Sequence, residues 1–189
     1  MTEIFAWFAV NFDLPILDWI AEHLRCGFLD ATMPVITVLG NGGIFWIAVS
    51  VLLLLIPKTR RAGLAMGMAL LMGLVVCNLT LKPLCARIRP YDFYGQSMQL
   101  LVAAPHDFSF PSGHTIASFE AATALALHNR KLGIPALILA GLIAFFRLYL
   151  YVHYPTDVLT SVVLGIGFGL LGNWLVQKGS YLWENRKSA

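Results

Sequence analysis

Charged side chains are scarce in this chain. Asp, Glu, Lys and Arg make up 12% of its 189 residues, and 58% of the residues are hydrophobic. A typical soluble domain carries about twice that share of charge, so the composition excludes an ordinary soluble protein. The 13 basic residues are not gathered into one face, which argues against nucleic-acid binding. We therefore predict an integral membrane protein.

Cysteines are few, and no basic leader opens the chain. Cys26, Cys77 and Cys85 are odd in number and lack the close spacing of metal-binding pairs. We expect buried thiols and predict no metal site and no disulfide. Glu3 and Asp13 stand where a signal peptide would carry basic and small residues, so we expect the chain to insert into the membrane whole.

Five long apolar runs determine the predicted fold. A helix needs about 20 apolar residues to cross a bilayer, and a shorter run can extend into flanking small or aromatic residues. The sequence predicts an all-α fold, a polytopic transmembrane helix bundle over residues 43–177 within a single domain, 1–189. The predicted spans are residues 43–57, 62–81, 115–127, 134–150 and 158–176.

The first 40 residues follow a different pattern. Apolar residues recur there at helical spacing, and charged residues lie between them. This pattern is typical of an amphipathic helix that lies in the membrane interface. We therefore predict an interfacial region over residues 1–40 rather than a sixth span. The apolar positions are Ile16, Trp19, Ile20, Leu24 and Phe28.

The basic turns predict the orientation. Residues 58–61, 130–131 and 178–187 each hold two or three Lys or Arg residues, and such turns are enriched on the cytoplasmic side. Alternate threading of the spans then puts residues 82–111 and 148–157 on the outer side. We predict a multi-pass protein of the cell membrane, with a cytoplasmic C-terminus and its polar segments together at the extracytoplasmic edge.

Three polar motifs occupy those outer segments, and the first is Lys82 with Arg89-Pro90. The two cations are seven residues apart, so on one continuous helix they would share a face and converge on one anion. Pro90 would end that helix. The alternative is a pair of snorkelling side chains that bind lipid headgroups.

The second motif is Pro111-Ser112-Gly113-His114, which follows the polar loop 91–110 and opens the third span. Backbone amides at a helix N-terminus attract anions, Gly113 permits close approach, and Ser112 adds a hydroxyl donor. His114 places a titratable imidazole beside the anion. The alternative is ordinary helix-entry chemistry with an interfacial histidine.

The third motif joins Arg147, His153 and Asp157 across the turn between the last two spans. Tyr154-Pro155 ends one helix, so Asp157 falls in the first turn of the next. A carboxylate there can accept the imidazole N–H, fix its tautomer and leave the other nitrogen free to attack. The alternative is a structural His–Asp pair that ties two helices together.

All three motifs, in this order and spacing, resemble those of the type 2 phosphatidic acid phosphatase superfamily. The resemblance covers residues 82–157. It implies that His153 attacks phosphorus to form a phosphohistidine, that Asp157 orients His153, and that His114 protonates the leaving group. It also implies that fixed cations take the place of a metal ion, so we expect no metal and no cofactor. The implied phosphate-binding residues are Lys82, Arg89, Ser112, Gly113 and Arg147.

Several other positions near the motifs stand out. The residue before the third-motif arginine is commonly serine in this superfamily and is Phe146 here, which predicts an altered rate or preference rather than lost activity. Arg87 is poorly phased with the first motif, and we expect it to contact headgroups or face solvent. His106 and Asp107 would line the entrance. Glu120 lies inside the third span, where a carboxylate needs a partner or a proton. The hydroxyls expected to bond to it are those of Ser118, Thr123 and Thr160.

The resemblance also implies a function. A site at the outer edge of a helix bundle suits a lipid phosphate that enters from the bilayer, so the leading hypothesis is a lipid phosphatase. Undecaprenyl diphosphate is the favoured substrate, and phosphatidylglycerol phosphate or phosphatidic acid is the alternative. A non-catalytic protein that binds or transports lipid phosphates is the alternative of another class. The expected partners are the lipid substrate and membrane lipids, with no obligate protein partner.

Overall fold

The computed structural model describes residues 3–93 and 100–187, and every regular element in those residues is helical. The all-α fold predicted from the apolar runs is therefore confirmed. Residues 94–99 of the predicted polar loop, and the first and last two residues of the predicted domain, lie outside the described residues.

The first three long helices follow one another with short connections. α1 (Glu3–His23) contains a π-helical turn, Ala9–Asp13. α2 (Gly27–Thr37) leads through a 3₁₀ segment, Val38–Gly43, into α3 (Ile44–Leu55).

The second half of the bundle begins with α4 (Arg60–Gly73), which continues as a π-helical segment, Leu74–Leu81, and a last α-helical turn, Lys82–Cys85. A single turn, Pro90–Phe93, follows. The remaining helices are α5 (Gly113–His128), α6 (Arg130–Tyr149) and α7 (Pro155–Lys187).

Local sequence explains where helices bend and begin. The chain bends between α2 and α3, where Gly42 and Gly43 have φ angles of 57° and 67° that glycine adopts without the usual steric cost. The side chain of Asn129 caps α6 by accepting hydrogen bonds from two amides of its first turn. Pro155 opens α7, where its missing N–H leaves no helical hydrogen bond unmade.

α5 forms the centre of the bundle. It packs against α4, α6, α7 and the 3₁₀ segment between α2 and α3. Ala121, Ala122 and Ala124 are fully buried along it, and small side chains of this kind let helices approach closely. The second motif, at the N-terminus of α5, is thereby held against the helices that carry the other two motifs.

Within the described residues, five helical stretches are long and apolar enough to cross a membrane. The chain is thus a multi-pass membrane protein, as predicted. All five predicted spans lie largely in helices, with residues 56–57 and 150 beyond the helix ends, but the third forms α5, whose 16 residues make it short for a span. α1 has 21 residues and is itself long and apolar enough to cross a membrane. The interfacial placement of residues 1–40 therefore stays a prediction. The five stretches are Glu3–His23, Gly27–Leu55, Arg60–Phe93, Arg130–Tyr149 and Pro155–Leu182.

The expectation of one continuous helix from Lys82 to Arg89 is wrong. The helix ends at Cys85, and Ala86 adopts a left-handed conformation with a φ of 44°. The chain then runs in irregular backbone to Pro90, whose ring restricts the residue before it. The two cations therefore meet because the chain turns, and not because they share a helix face.

Candidate active site

Five side chains of the three motifs line one cavity of about 1100 Å³. They come from the end of α4, the turn after it, the start of α5, the end of α6 and the turn between α6 and α7. The three cations among them are buried, and positive charges with little water around them form a strong anion site. The five residues are Lys82, Arg89, His114, Arg147 and His153.

Asp107 lies between two of these cations. Its Oδ2 is 2.5 Å from Lys82 Nζ, and its Oδ1 is 2.5 Å from Arg89 Nη2. Burial by itself would raise the pKa of the Asp107 carboxyl, but the hydrogen bonds and charges of Lys82 and Arg89 offset this and hold that pKa below its ordinary value. The Asp107 carboxylate is therefore paired with Lys82 and Arg89 at the place where an anion such as phosphate would bind them. Asp107 does line the cavity, as expected, but nothing in its spacing indicated this pairing.

The two ring nitrogens of His153 face different groups. Nδ1 lies 3.6 Å from Asp157 Oδ2 and has no hydrogen-bond partner among the described residues. Nε2 lies 3.2 Å from Arg89 Nη1, on the side of the cations. Burial, and then the charges of the nearby cations, lowers the pKa of His153 well below its ordinary value. The imidazole is therefore neutral at neutral pH, and its Nε2 lone pair faces the anion site.

The second motif contributes two residues, Gly113 and His114, to the cavity wall, and Ser112 lies behind it. Gly113 begins α5 and lines the cavity, whereas Ser112 is fully buried. The Ser112 amide donates to Ser161 Oγ at 2.8 Å, and Ser112 Oγ accepts from Thr115 Oγ1 at 3.0 Å. Protein groups thus engage the amide and the hydroxyl oxygen of Ser112, and its phosphate-binding role stays a prediction.

The bend between α2 and α3 supplies partners for two of the site residues. Asn41 Oδ1 lies 2.7 Å from His114 Nε2, and Arg147 Nη1 donates to Thr37 Oγ1 at 3.0 Å. Gly40 packs directly on the imidazole, since a Cβ there would lie 2.5 Å from Cδ2 of His114. The Asn-Gly-Gly sequence signals a turn, but it does not signal that the turn meets the site.

Arg87 differs most from its sequence interpretation. The expectation that it contacts headgroups or solvent is wrong, because its side chain is fully buried. Its Nη2 lies 2.6 Å from Asp13 Oδ2, and its Nη1 lies 2.5 Å from Asp157 Oδ1. The interpretation failed because it assumed a helix that continues beyond Cys85. Asp157 also accepts hydrogen bonds from Ser109 Oγ at 2.5 Å and from the Tyr154 amide at 3.0 Å.

Glu120 is buried in α5 and lines the same cavity. Its Oε2 has no hydrogen-bond partner among the described residues, so the expected bond to a neighbouring hydroxyl is not made by that atom. Ser118 instead accepts a hydrogen bond from Trp46 Nε1 at 3.0 Å. The carboxyl packs against α4 where Gly73 leaves room for it, since a Cβ at Gly73 would lie 2.1 Å from Oε2.

Phe146 packs in an apolar cluster and not among the cations. It is buried together with Ile20, Met33 and Tyr149. A side chain in that cluster meets the helices α1 and α2 rather than the cavity, so its substitution acts first on packing.

A known family carries the same motifs. A sequence model of the PAP2 superfamily matches residues 62–181. The matched segment is more than half of the chain and contains all three motifs. The chain belongs to the PAP2 superfamily.

Relatives and a solved structure agree with this membership. The chain is 35% identical over 121 residues to an undecaprenyl-diphosphatase of Sulfolobus acidocaldarius, covering 64% of this chain and 58% of that protein. It is 32% identical over 149 residues to a decaprenylphosphoryl-5-phosphoribose phosphatase of Mycobacterium tuberculosis, covering 78% and 80%. The crystal structure of Aquifex aeolicus LpxE is similar, with a TM-score of 0.74, 26% identity and coverage of 86% and 94%. The chain spans less than two thirds of the first of these relatives.

The PAP2 match begins after the part of the chain that supports the motifs. Asp13, Thr37 and Asn41 all precede residue 62. Each contacts a polar residue within the matched segment. Helices α1 to α3 therefore complete a site whose motifs lie elsewhere in the chain.

Proposed function

We propose that this PAP2 superfamily member is a metal-independent phosphatase, which removes phosphate from a membrane lipid phosphate or diphosphate through a phosphohistidine. The observation that carries this proposal is the convergence of three buried cations and two imidazoles on one cavity. An anion held there lies beside the neutral imidazole of His153, whose Nε2 faces the cations. A nucleophile and groups that stabilise developing negative charge are thus available at one place.

In the first half-reaction, His153 Nε2 attacks phosphorus, and the bond from phosphorus to the leaving oxygen breaks. Burial and the nearby cations lower the pKa of His114 to about 3, and the negative charge of a bound phosphate acts against those cations. With the substrate bound, protonated His114 donates a proton to that oxygen. The lipid departs as an alcohol, or as a monophosphate when the substrate is a diphosphate. The groups that hold the phosphoryl oxygens are the side chains of Lys82, Arg89, Arg147 and Ser112 and the amide of Gly113.

In the second half-reaction, water attacks phosphorus, and the bond from phosphorus to His153 Nε2 breaks. His114, now neutral, accepts a proton from that water. Inorganic phosphate leaves and His153 returns to its neutral form. Asp157 lies 3.6 Å from His153 Nδ1, where its negative charge stabilises the positive imidazole ring of the intermediate.

The apolar part of the cavity supports a lipid as the substrate. When the phosphate group of a lipid binds the cations, its hydrocarbon tail has room along the apolar cavity wall that α3 and α4 form. The relative from Sulfolobus acidocaldarius is named an undecaprenyl-diphosphatase, so we favour undecaprenyl diphosphate over phosphatidylglycerol phosphate and phosphatidic acid. The apolar wall residues include Ile47, Val51, Leu54, Leu70 and Leu71.

The basic turns support a site on the extracytoplasmic side, with the C-terminus in the cytoplasm. In a cysteine-free background, we expect an impermeant thiol reagent to label Ala104→Cys in intact cells. Lys58→Cys should be labelled only after lysis. The reverse pattern would overturn this orientation.

Phosphate release tests the proposed activity. Purified protein is incubated, with EDTA present, with undecaprenyl diphosphate, phosphatidylglycerol phosphate or phosphatidic acid. We expect release by the wild type and at most about 1% of that rate for His153→Ala. His23→Ala, which changes an exposed histidine, should keep the wild-type rate. Binding of these lipids without release from any of them would support a lipid-binding protein and overturn the proposed activity.

A further inference from the structure

Arg87 is the centre of a buried ion network that reaches from α1 to the proposed nucleophile. Its Nη2 lies 2.6 Å from Asp13 Oδ2, and its Nη1 lies 2.5 Å from Asp157 Oδ1. All three side chains are fully buried. The other oxygen of Asp157, Oδ2, is the atom that faces His153. One arginine therefore links a carboxylate on α1 to the carboxylate beside the nucleophile.

Further contacts fix the guanidinium of Arg87 in one orientation. Thr156 Oγ1 lies 2.8 Å from both Arg87 Nη1 and Asp13 Oδ2, and the Thr156 amide donates to Asp13 Oδ1 at 2.9 Å. The guanidinium also lies 3.9 Å from the centroid of the Tyr154 ring, within the range of a cation–π contact. A lysine could not reproduce this arrangement, because an ammonium lacks the planar fork of donors.

Stability alone does not account for such a network. The cost of removing charges from water cancels much of the attraction within a buried ion pair, so apolar residues of similar size often serve a fold as well. Two carboxylates and one guanidinium also leave one net negative charge next to His153. Negative charge raises the pKa of an imidazole and positive charge lowers it, so this network acts on the proton affinity of His153.

The other charged groups around His153 act in the opposite direction or are themselves paired. The cations lower its pKa, as does His114 when protonated. Asp107 faces two of those cations. The groups concerned are Lys82, Arg89, Arg147 and His114 on the cavity side, and Asp157, Arg87 and Asp13 on the opposite side.

We infer that Arg87, held by Asp13, is a positioning residue for Asp157 and through it for His153. Arg87 holds one oxygen of Asp157 so that the other faces the imidazole. Because Asp13 lies outside the segment matched by the family model, α1 is a functional part of the site and not only a membrane anchor. The inference rests on the proposed phosphatase function.

Kinetics over a range of pH test the inference. For Arg87→Gln we expect kcat to fall about 100-fold with KM within about threefold of the wild type, because Arg87 does not touch the substrate. The loss of its positive charge raises the pKa of His153. Since the neutral imidazole is the active form, the acid limb of the pH profile moves to higher pH.

The companion variants separate charge from shape. Arg87→Lys should restore the wild-type pH profile but not the full kcat, because it keeps the charge and loses the fork. Asp13→Asn removes one negative charge at nearly constant shape, so the acid limb should move to lower pH and kcat should fall about tenfold. Arg25→Gln and Glu22→Gln, which change exposed residues, are the matched controls and should behave as the wild type.

Each outcome decides for or against the inference. Wild-type kcat and an unshifted pH profile in both Arg87→Gln and Asp13→Asn would make the network merely structural and overturn it. If Arg87→Gln does not fold, the pH profile of Asp13→Asn decides. If the wild type releases no phosphate from any lipid phosphate, the proposed function fails instead. The pKa of His153, measured by NMR with isotope-labelled histidine, then decides: a lower value in Asp13→Asn supports the positioning role, and an equal value overturns it.

Discussion

Asn41 Oδ1 lies 2.7 Å from His114 Nε2, across the bend between α2 and α3. A carbonyl oxygen only accepts hydrogen bonds, so the Nε2 that faces it carries the hydrogen. In the proposed mechanism, the proton that His114 exchanges with a substrate therefore belongs to its other nitrogen, Nδ1. Asn41 thereby fixes both the ring orientation and the tautomer of the proposed general acid.

Substituting Asn41 tests this relationship. We expect Asn41→Ala to lower kcat about tenfold, because a ring free to rotate is in the productive orientation for less of the time. Phosphate release by the purified variant measures the effect. Asn11→Ala, which changes an exposed asparagine on α1, should leave kcat unchanged, and an equally unaffected Asn41→Ala would contradict the role given to Asn41.

Asp107 pairs with Lys82 and Arg89, the two cations that we propose bind phosphate, so we expect it to compete with a bound phosphate. We expect Asp107→Asn to lower the inhibition constant of inorganic phosphate about tenfold, because the competing negative charge is gone. The pKa of Asp107 lies below its ordinary value, so its carboxylate stays ionised at every pH above the ordinary pKa of an aspartate side chain. Asp107 should therefore compete with phosphate at every pH from about 5 to about 8.

The control for this substitution is Asp92→Asn, which changes an exposed aspartate in the preceding turn. It should leave inhibition by phosphate as in the wild type. An inhibition constant that is also unchanged in Asp107→Asn would show that Asp107 does not compete for the anion site.

The acid limb of the activity profile reports on His153. Burial and the neighbouring cations lower its pKa, and protonation removes the nucleophilic lone pair. Activity should therefore persist as the pH falls through the ordinary histidine range, about pH 6.5, and be lost only at lower pH. Lys82→Met removes one cation, so the acid limb should move to higher pH. An acid limb near about pH 6.5 that Lys82→Met does not move would contradict the assignment of His153.

Phe146→Ser tests whether the departure from the usual serine matters for packing or for chemistry. Phe146 is buried among apolar side chains, so we expect a loss of about 3 kcal/mol in the free energy of unfolding. Turnover of the folded fraction should stay within about tenfold of the wild type. Thermal unfolding and phosphate release measure the two effects, with Phe28→Ser as the control, because Phe28 is 73% exposed. A folded but inactive Phe146→Ser would show that position 146 contributes directly to the reaction.

Gly73 and Glu120 should behave as a coupled pair. A Cβ on Gly73 would lie 2.1 Å from Glu120 Oε2, so Gly73→Ala should lower the thermal unfolding temperature. Glu120→Ala removes the clashing carboxyl, and the double variant should be more stable than Gly73→Ala alone. Gly141→Ala is the control, because within the described residues no atom beyond the glycine's own neighbours and helix backbone lies within 4 Å of a Cβ there. Equal stability of Gly73→Ala and the double variant would contradict the coupling.

The fold and the motifs could be predicted from the sequence because both depend on residues that are close together in the chain. Apolar runs predict helices in a membrane, where a helix satisfies its own backbone hydrogen bonds. Most of the predicted site residues line the cavity, while Ser112 and Asp157 lie behind its wall. The prediction of a continuous helix through the first motif was wrong because the chain turns at Ala86 in a left-handed conformation. An alanine gives no indication of such a turn.

The contact partners of the motif residues could not be predicted from the sequence, for a different reason. Arg87 contacts Asp157 from 70 residues away in sequence and Asp13 from 74 residues away. From the sequence alone, a charged residue is expected to contact solvent or lipid headgroups. Whether it is buried depends on which helices pack around it, and the sequence does not show this. The contacts of Asn41 and Asp107 were missed in the same way, since each pairs with a residue that only the bundle brings near.

The amino-acid sequence by itself determined that the chain is an all-α membrane protein and which side chains carry its three motifs, because hydrophobicity and motif spacing are properties of neighbouring residues. Only the tertiary structure decided that Asp107 pairs with two of the cations and that α1 reaches Asp157 through Arg87. Those contacts depend on how helices that are distant in sequence pack against one another, and burial then makes each charge depend on its partner.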